Sequence, residues 1–100
     1  MYYGGALQNI EREKMQVKYF SKDSLVKANK TAIRTNRNRS LEPKYLSKLD
    51  KDNKYPIVWA MPHNDHEMRV RLLLNADSDG WLDIPFKTYD NLPVVTMPTH

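Results

Sequence analysis

Polar and apolar positions change period along the chain, and the changes mark its elements. From Lys14 to Phe20, Met15, Val17 and Tyr19 alternate with Gln16, Lys18 and Phe20, the two-residue period of a strand with one mostly apolar face. Ser21 then offers a helix N-cap and Asp23 a favourable first-turn charge, and helical spacing runs to about Arg37. At about 100° per residue, Leu25, Val26, Ala28, Ala32 and Ile33 share one side of this helix, while Lys27, Lys30, Arg34 and Arg37 form a stripe on the other. The Asn- and Ser-rich stretch from Thr35 to Ser40 favours local side-chain to backbone bonds over helix, which predicts a loop with exposed Arg37 and Arg39. Glu42 and Pro43 open a short second helix with Tyr45, Leu46 and Leu49 as its apolar contacts, and the polar run Asp50 to Lys54 ends it as a linker.

From Tyr55 onward the period is two. Ile57, Trp59 and Met61 alternate with Val58 and Ala60, which predicts a central strand apolar on both faces. After a turn at Pro62 to His66, Met68, Val70, Leu72 and Leu74 face a core, and Glu67, Arg69 and Arg71 face outward. A turn at Asp77 to Gly80 leads to a strand with Leu82, Ile84 and Phe86 inward and Asp83 and Lys87 outward. Tyr89 to Asn91 turns again, into Pro93 to Met97. Strand, helix, short helix and hairpin-linked strands make a two-layer α+β domain: an antiparallel sheet of four to five strands with one amphipathic helix and one short helix on one face. Residues 1–100 read as a single domain, with 1–13 an N-terminal arm, 14–54 a basic strand-helix-helix part and 55–100 the hairpin sheet.

Composition narrows the function classes. With 40% hydrophobic and 28% charged residues in 100, there is apolar material for one modest core, and disorder is excluded for the chain as a whole. The absence of cysteine rules out disulfides, thiolate zinc sites and thiol nucleophiles, and points to an intracellular, cytoplasmic setting. The N-terminal residues lack the basic and apolar pattern of an export signal, and the longest apolar runs, Ile57 to Met61 and Leu72 to Leu74, are too short to span a bilayer. No membrane partner is expected. Charge is polarised: residues 1–54 hold 13 Lys and Arg against 6 Asp and Glu, and residues 55–100 hold 3 against 6, so +7 and −3 make the net +4. Such polarity fits an anionic partner, nucleic acid above all, or a solvated basic helix.

Two loops carry potential chemistry. Asn75 to Asp83 matches the first nine positions of an EF-hand calcium loop, with oxygen ligands at positions 1, 3, 5 and 9 and Gly80 at position 6. Position 12 is Phe86 where a bidentate Glu belongs, position 11 is Pro85, and the flanks read as strands, so a hairpin turn explains the segment without a metal. His63-Asn64-Asp65-His66-Glu67 brings two imidazoles and two carboxylates into five residues, a polar hairpin loop or a surface acid–base group. A metal there lacks further ligands, since the third histidine is the terminal His100. Serines 21, 24, 40, 47 and 78 stand in no nucleophile context, and three glycines make no phosphate cradle. No cofactor is expected.

The leading expectation is a non-enzymatic module contacting nucleic acid or a nucleoprotein through the basic helix and loop. Lys27, Lys30, Arg34, Arg37 and Arg39 would neutralise phosphates, and Arg69, Arg71 and Lys87 on the outer sheet face would join Trp59, Trp81 or Tyr89 against unpaired bases. A protein-binding inhibitor or assembly subunit, of the kind found among small viral and mobile-element proteins, is the second reading; it draws on the apolar segment Leu92 to His100, punctuated by Pro93 and Pro98. The element order and basic character also resemble bacterial toxin nucleases of the RelE type. That resemblance is of fold order alone and carries no residue over. In a ribonuclease reading, His63, His66, Arg69, Arg71 and Tyr89 are the candidates for acid, base and phosphate roles.

Overall fold

The computed structural model describes residues 14–35, 38–75 and 78–98. Its elements are β1 (Lys14–Ser21), α1 (Lys22–Thr35), α2 (Pro43–Leu46), β2 (Lys54–Pro62), β3 (Glu67–Asn75), β4 (Ser78–Pro85), α3 (Phe86–Asp90) and β5 (Val94–Pro98). The strands form one antiparallel sheet in the order β4-β3-β2-β1-β5, so β2 is central as its two-sided apolar pattern required. The fold is α+β.

The core lies between this sheet and α1. Val70 and Leu72 of β3, Leu82 and Ile84 of β4, Tyr55 and Ile57 of β2 and Phe20 of β1 meet Leu25 and Ala32 of the helix, and Leu41 and Leu49 close the ends. The Ser21 hydroxyl accepts the Ser24 N–H at 3.3 Å, the N-cap expected of it. Pro43 occupies the first turn of α2, where its missing N–H costs nothing. Leu46, Tyr89 and Leu92 extend the core from α2 and from the segment around α3.

Four expectations are corrected. Asn29, a polar residue one turn from Leu25, is fully buried, while Ile33 at the flank of the apolar arc is 53% exposed. Asn29 serves as a clamp: its Oδ1 accepts the Leu41 N–H at 2.6 Å and its Nδ2 donates to the Leu41 carbonyl at 3.3 Å. The clamped loop lies along the free edge of β4, where Arg39 accepts the Asp83 N–H at 3.1 Å. Asp83 and Glu67, expected to face solvent, are therefore buried, because the loop crosses over that end of the outer sheet face. Phe86 does not continue β4; with Pro85 at its N-cap it starts α3, which replaces the turn expected at Tyr89 to Asn91.

The fourth concerns β2. Its register against β3 shifts between Ile57, which pairs with Leu72, and Trp59, which pairs with Arg71. The extra residue is Val58, a β-bulge, and a one-residue slip moves every later side chain to the other face. Ile57 stays in the core, whereas Trp59 and Met61 emerge on the opposite face, 43% and 45% exposed.

Candidate functional site

The bulge assembles two rows of side chains across the outer face. Trp59 of β2 pairs with Arg71 of β3, which pairs with Trp81 of β4; beside them Met61 pairs with Arg69, which pairs with Asp83. Strands two apart in a sheet are about 9.5 Å apart, yet the two indoles meet over β3 with centroids 5.3 Å apart, edge to face at 76°. That geometry is favoured by the ring quadrupoles. The Arg71 guanidinium lies 5.8 Å from the Trp81 centroid, and that of Arg39 lies 6.0 Å from it. Arg39, Trp59, Met61, Arg69 and Trp81 line a shallow depression of about 310 Å³.

Charge on this face is largely paired within it. Arg69 grips Asp83 with Nε to Oδ1 at 2.8 Å and Nη2 to Oδ2 at 3.0 Å, a bidentate fork. Burial of Asp83 by itself favours its neutral form, but the Arg69 hydrogen bonds, the Arg39 amide at 2.8 Å and the charges of Arg69 and His63 outweigh it and hold the carboxyl below its ordinary value. The same hydrogen bond, set against partial desolvation, raises Arg69 above its own. Arg71 donates from Nε to Asp79 Oδ2 at 2.6 Å. Arg39 enters no ion pair among the described residues.

At the rim, His63 Nε2 stands 3.6 Å from Asp83 Oδ2 and 3.4 Å from Arg69 Nη2. The buried Glu67 carboxylate accepts from Asn64 at 2.9 Å and Asn38 at 2.5 Å, which ties the β2–β3 turn to the loop after α1. His66 turns away, its side chain 79% exposed and 4.0 Å from Glu67.

The residues expected to bind an anion thus divide between two surfaces. Arg39, Arg69 and Arg71 come together with both tryptophans. Lys27, Lys30 and Arg34 are exposed on α1, about 180° around the helix from its buried Leu25, Asn29 and Ala32, and so face away from the sheet. Asp23 shares their stripe. Arg37 lies outside the described residues. Lys87 is on α3 beside a groove shared with α1, and Tyr89 lies under the Lys18 ammonium, 5.1 Å from its centroid; Tyr89 lines a cleft beside Trp59, and neither residue lines the depression between the two tryptophans.

The acid, base and phosphate candidates do not converge as a set: His63 and Arg69 adjoin, whereas His66, Arg71 and Tyr89 point elsewhere. In the calcium-like loop, Asp79 and Asp83 are tied to two different arginines of β3, and Asp77 lies outside the described residues. Among the described residues no group of three or more His, Asp or Glu is arranged to hold a metal ion, and no helix is long and apolar enough to cross a membrane. The sequence reading named the tryptophans but not their meeting, whose signal is the register of β2, β3 and β4. No protein family, curated protein or solved structure matches the chain.

Proposed function

We propose that this chain is a small binding module that takes unpaired nucleic-acid bases on its outer sheet face. The observation that carries the reading is the Trp59–Arg71–Trp81 row, in which two solvent-facing indoles stand beside guanidinium groups on a rigid three-stranded platform. Aromatic faces stack on bases of any sequence, and arginine adds planar cation contacts to the same bases and charge for the backbone. The shallow, open depression suits a strand lying across it more than a small molecule enclosed within it.

Electrostatics separates this platform from the helix stripe as the phosphate-binding surface. Arg39 is its one cation without a carboxylate partner among the described residues, so binding there to a single strand should show a slope of log affinity on log salt of about −0.7. Contacts through Lys27, Lys30 and Arg34 would give about −2.1.

The chain holds only two tryptophans, both on this face, so their emission reports occupancy directly. Titration with single-stranded and duplex oligonucleotides across a salt series is the test. Expected are quenching by single strands, weaker binding of duplex and a shallow slope. Trp81→Ala should lose about 5- to 150-fold in affinity, equivalent to 1–3 kcal/mol for one stacked base. Equal binding of duplex, or a steep slope abolished by replacing Lys27, Lys30 and Arg34 with alanine, would move the site to the helix. No binding of either nucleic acid would end the reading.

A further inference from the structure

The sheet is continuous through β1 and β2 for only three residues. Tyr19, Phe20 and Ser21 pair with Pro56, Tyr55 and Lys54, after which β1 continues in register with β5 alone and β2 with β3 alone. The split coincides with the Val58 bulge, and bulged strands bend. A cleft of about 360 Å³ opens between them, walled by Met15, Val17 and Lys18 on one side and Ile57, Val58 and Trp59 on the other.

Both walls are strand edges. The Tyr19 amide is bonded toward β5, at 3.0 Å to the Pro93 carbonyl. Successive residues of an antiparallel strand present their amides to opposite sides, so those of Gln16 and Lys18 face the cleft. Neither has a backbone partner in β2 among the described residues. Unpaired backbone groups seek partners, and an uncharged edge such as Val58 to Pro62 lacks the lysines that usually protect one. By contrast, the far edge of the sheet at β4 is covered by the Arg39 loop.

We propose that this cleft is a strand-addition site for an extended segment of a partner protein, apolar at alternate positions and flanked by acidic residues. Two facing edges specify a β-strand, running parallel to one wall and antiparallel to the other. The side chains give the alternation, since Met15, Val17, Ile57, Val58 and Trp59 offer apolar contacts. The charge gives the flanks: β1, β2 and β5 carry Lys14, Lys18 and Lys54 and no Asp or Glu. A second copy of the chain would bring like charge to like.

The probe is a synthetic peptide of alternating Val and Thr with two Glu at each end, titrated against the full chain by fluorescence anisotropy, with hydrogen exchange read at the Gln16 and Lys18 amides. Expected are saturable binding, slowed exchange at both amides, and about ten-fold weaker binding of a Lys-ended peptide. Lys14→Glu combined with Lys18→Glu should reverse that preference. Absence of saturable binding overturns the proposal, as does equal binding of a peptide N-methylated at alternate residues. Concentration-dependent protection of the same amides in the chain alone, with a dimer in sedimentation, also overturns it by assigning the cleft to a second copy.

Discussion

Replacing Asn29 by alanine tests whether the covered edge and the tryptophan face depend on one buried amide. Asn29 is fully buried and Leu41 is 3% exposed, so the two hydrogen bonds between them lie out of reach of bulk water. Alanine strands the Leu41 N–H and C=O, and a buried backbone group without a partner costs about 1–3 kcal/mol. Partial retreat of the loop would restore hydration but expose the Leu41 side chain, worth about 1.5–3 kcal/mol when buried. Stranding both groups costs about 2–6 kcal/mol and retreat about 1.5–3 kcal/mol, so the cheaper route sets a loss of about 1.5–3 kcal/mol, a large share of the roughly 5–15 kcal/mol typical of a domain. Urea unfolding followed by far-UV circular dichroism should show the midpoint falling with the slope unchanged. Asn29→Asp keeps an acceptor for the Leu41 N–H but loses the donor and buries a charge, so it should be at least as damaging. A loss below about 0.5 kcal/mol for Asn29→Ala, the size of an ordinary surface change, would refute the clamp.

The Asp83 carboxyl is held below its ordinary value, so its contribution to stability is complete above that value and is lost as pH falls through the folded-state value. Asp83→Asn should accordingly be less stable than the parent at pH 7, with the two converging in acid; parallel stability curves between about pH 5 and 2 would contradict this. At Gly80, a Cβ would stand 2.5 Å from Leu41 Cδ2 and 3.1 Å from Leu74 Cδ1. Gly80→Ala should therefore cost about 1–3 kcal/mol by overpacking, with part recovered in the double variant with Leu41→Val; strict additivity in thermal unfolding would count against the contact. Deleting Val58 removes the extra residue and makes Ile57 and Trp59 neighbours, so Ile57 stays opposite Leu72 and Trp59 opposite Arg71 in a regular ladder; the variant should keep parent-like tryptophan emission, and a marked shift toward the emission of a buried indole would exclude the bulge.

The layer architecture was legible because it follows from period alone. β1, β3, β4 and α1 lie where their periods place them, and Ser21 and Pro43 mark helix starts by the chemistry of their side chains and rings; in β1, however, the core side chain is Phe20, 1% exposed, and not the Met15, Val17 and Tyr19 face that alternation marked as apolar, where Met15 is 49% exposed. What period cannot carry is any contact made by a loop. Asp83 and Glu67 alternate as outward residues and are buried only because the chain after α1 returns across them, held by Asn29 from a helix position that composition alone would assign to solvent. The arginines were legible as charges but not as charges already spent on Asp79 and Asp83, since those pairings depend on the β3–β4 register.

The bulge is the point at which sequence order and spatial order part, and much of the outer face follows from it. In an unbroken strand Ile57, Trp59 and Met61 share a side, and all three would be core. With Val58 inserted, the same residues serve two surfaces: Ile57 packs under α1, while Trp59 and Met61 complete rows with Arg71 and Arg69 on the far side. It also falls where β2 leaves β1, so the edge facing the cleft begins at the residue that turns the tryptophan outward. The depression proposed to stack bases and the cleft proposed to take a strand are thus neighbours that share Trp59. A ligand held by either surface should alter the emission of that indole. Trp81, which lines only the platform depression of the two, distinguishes them: loss of its ring should weaken the oligonucleotide and leave the peptide bound.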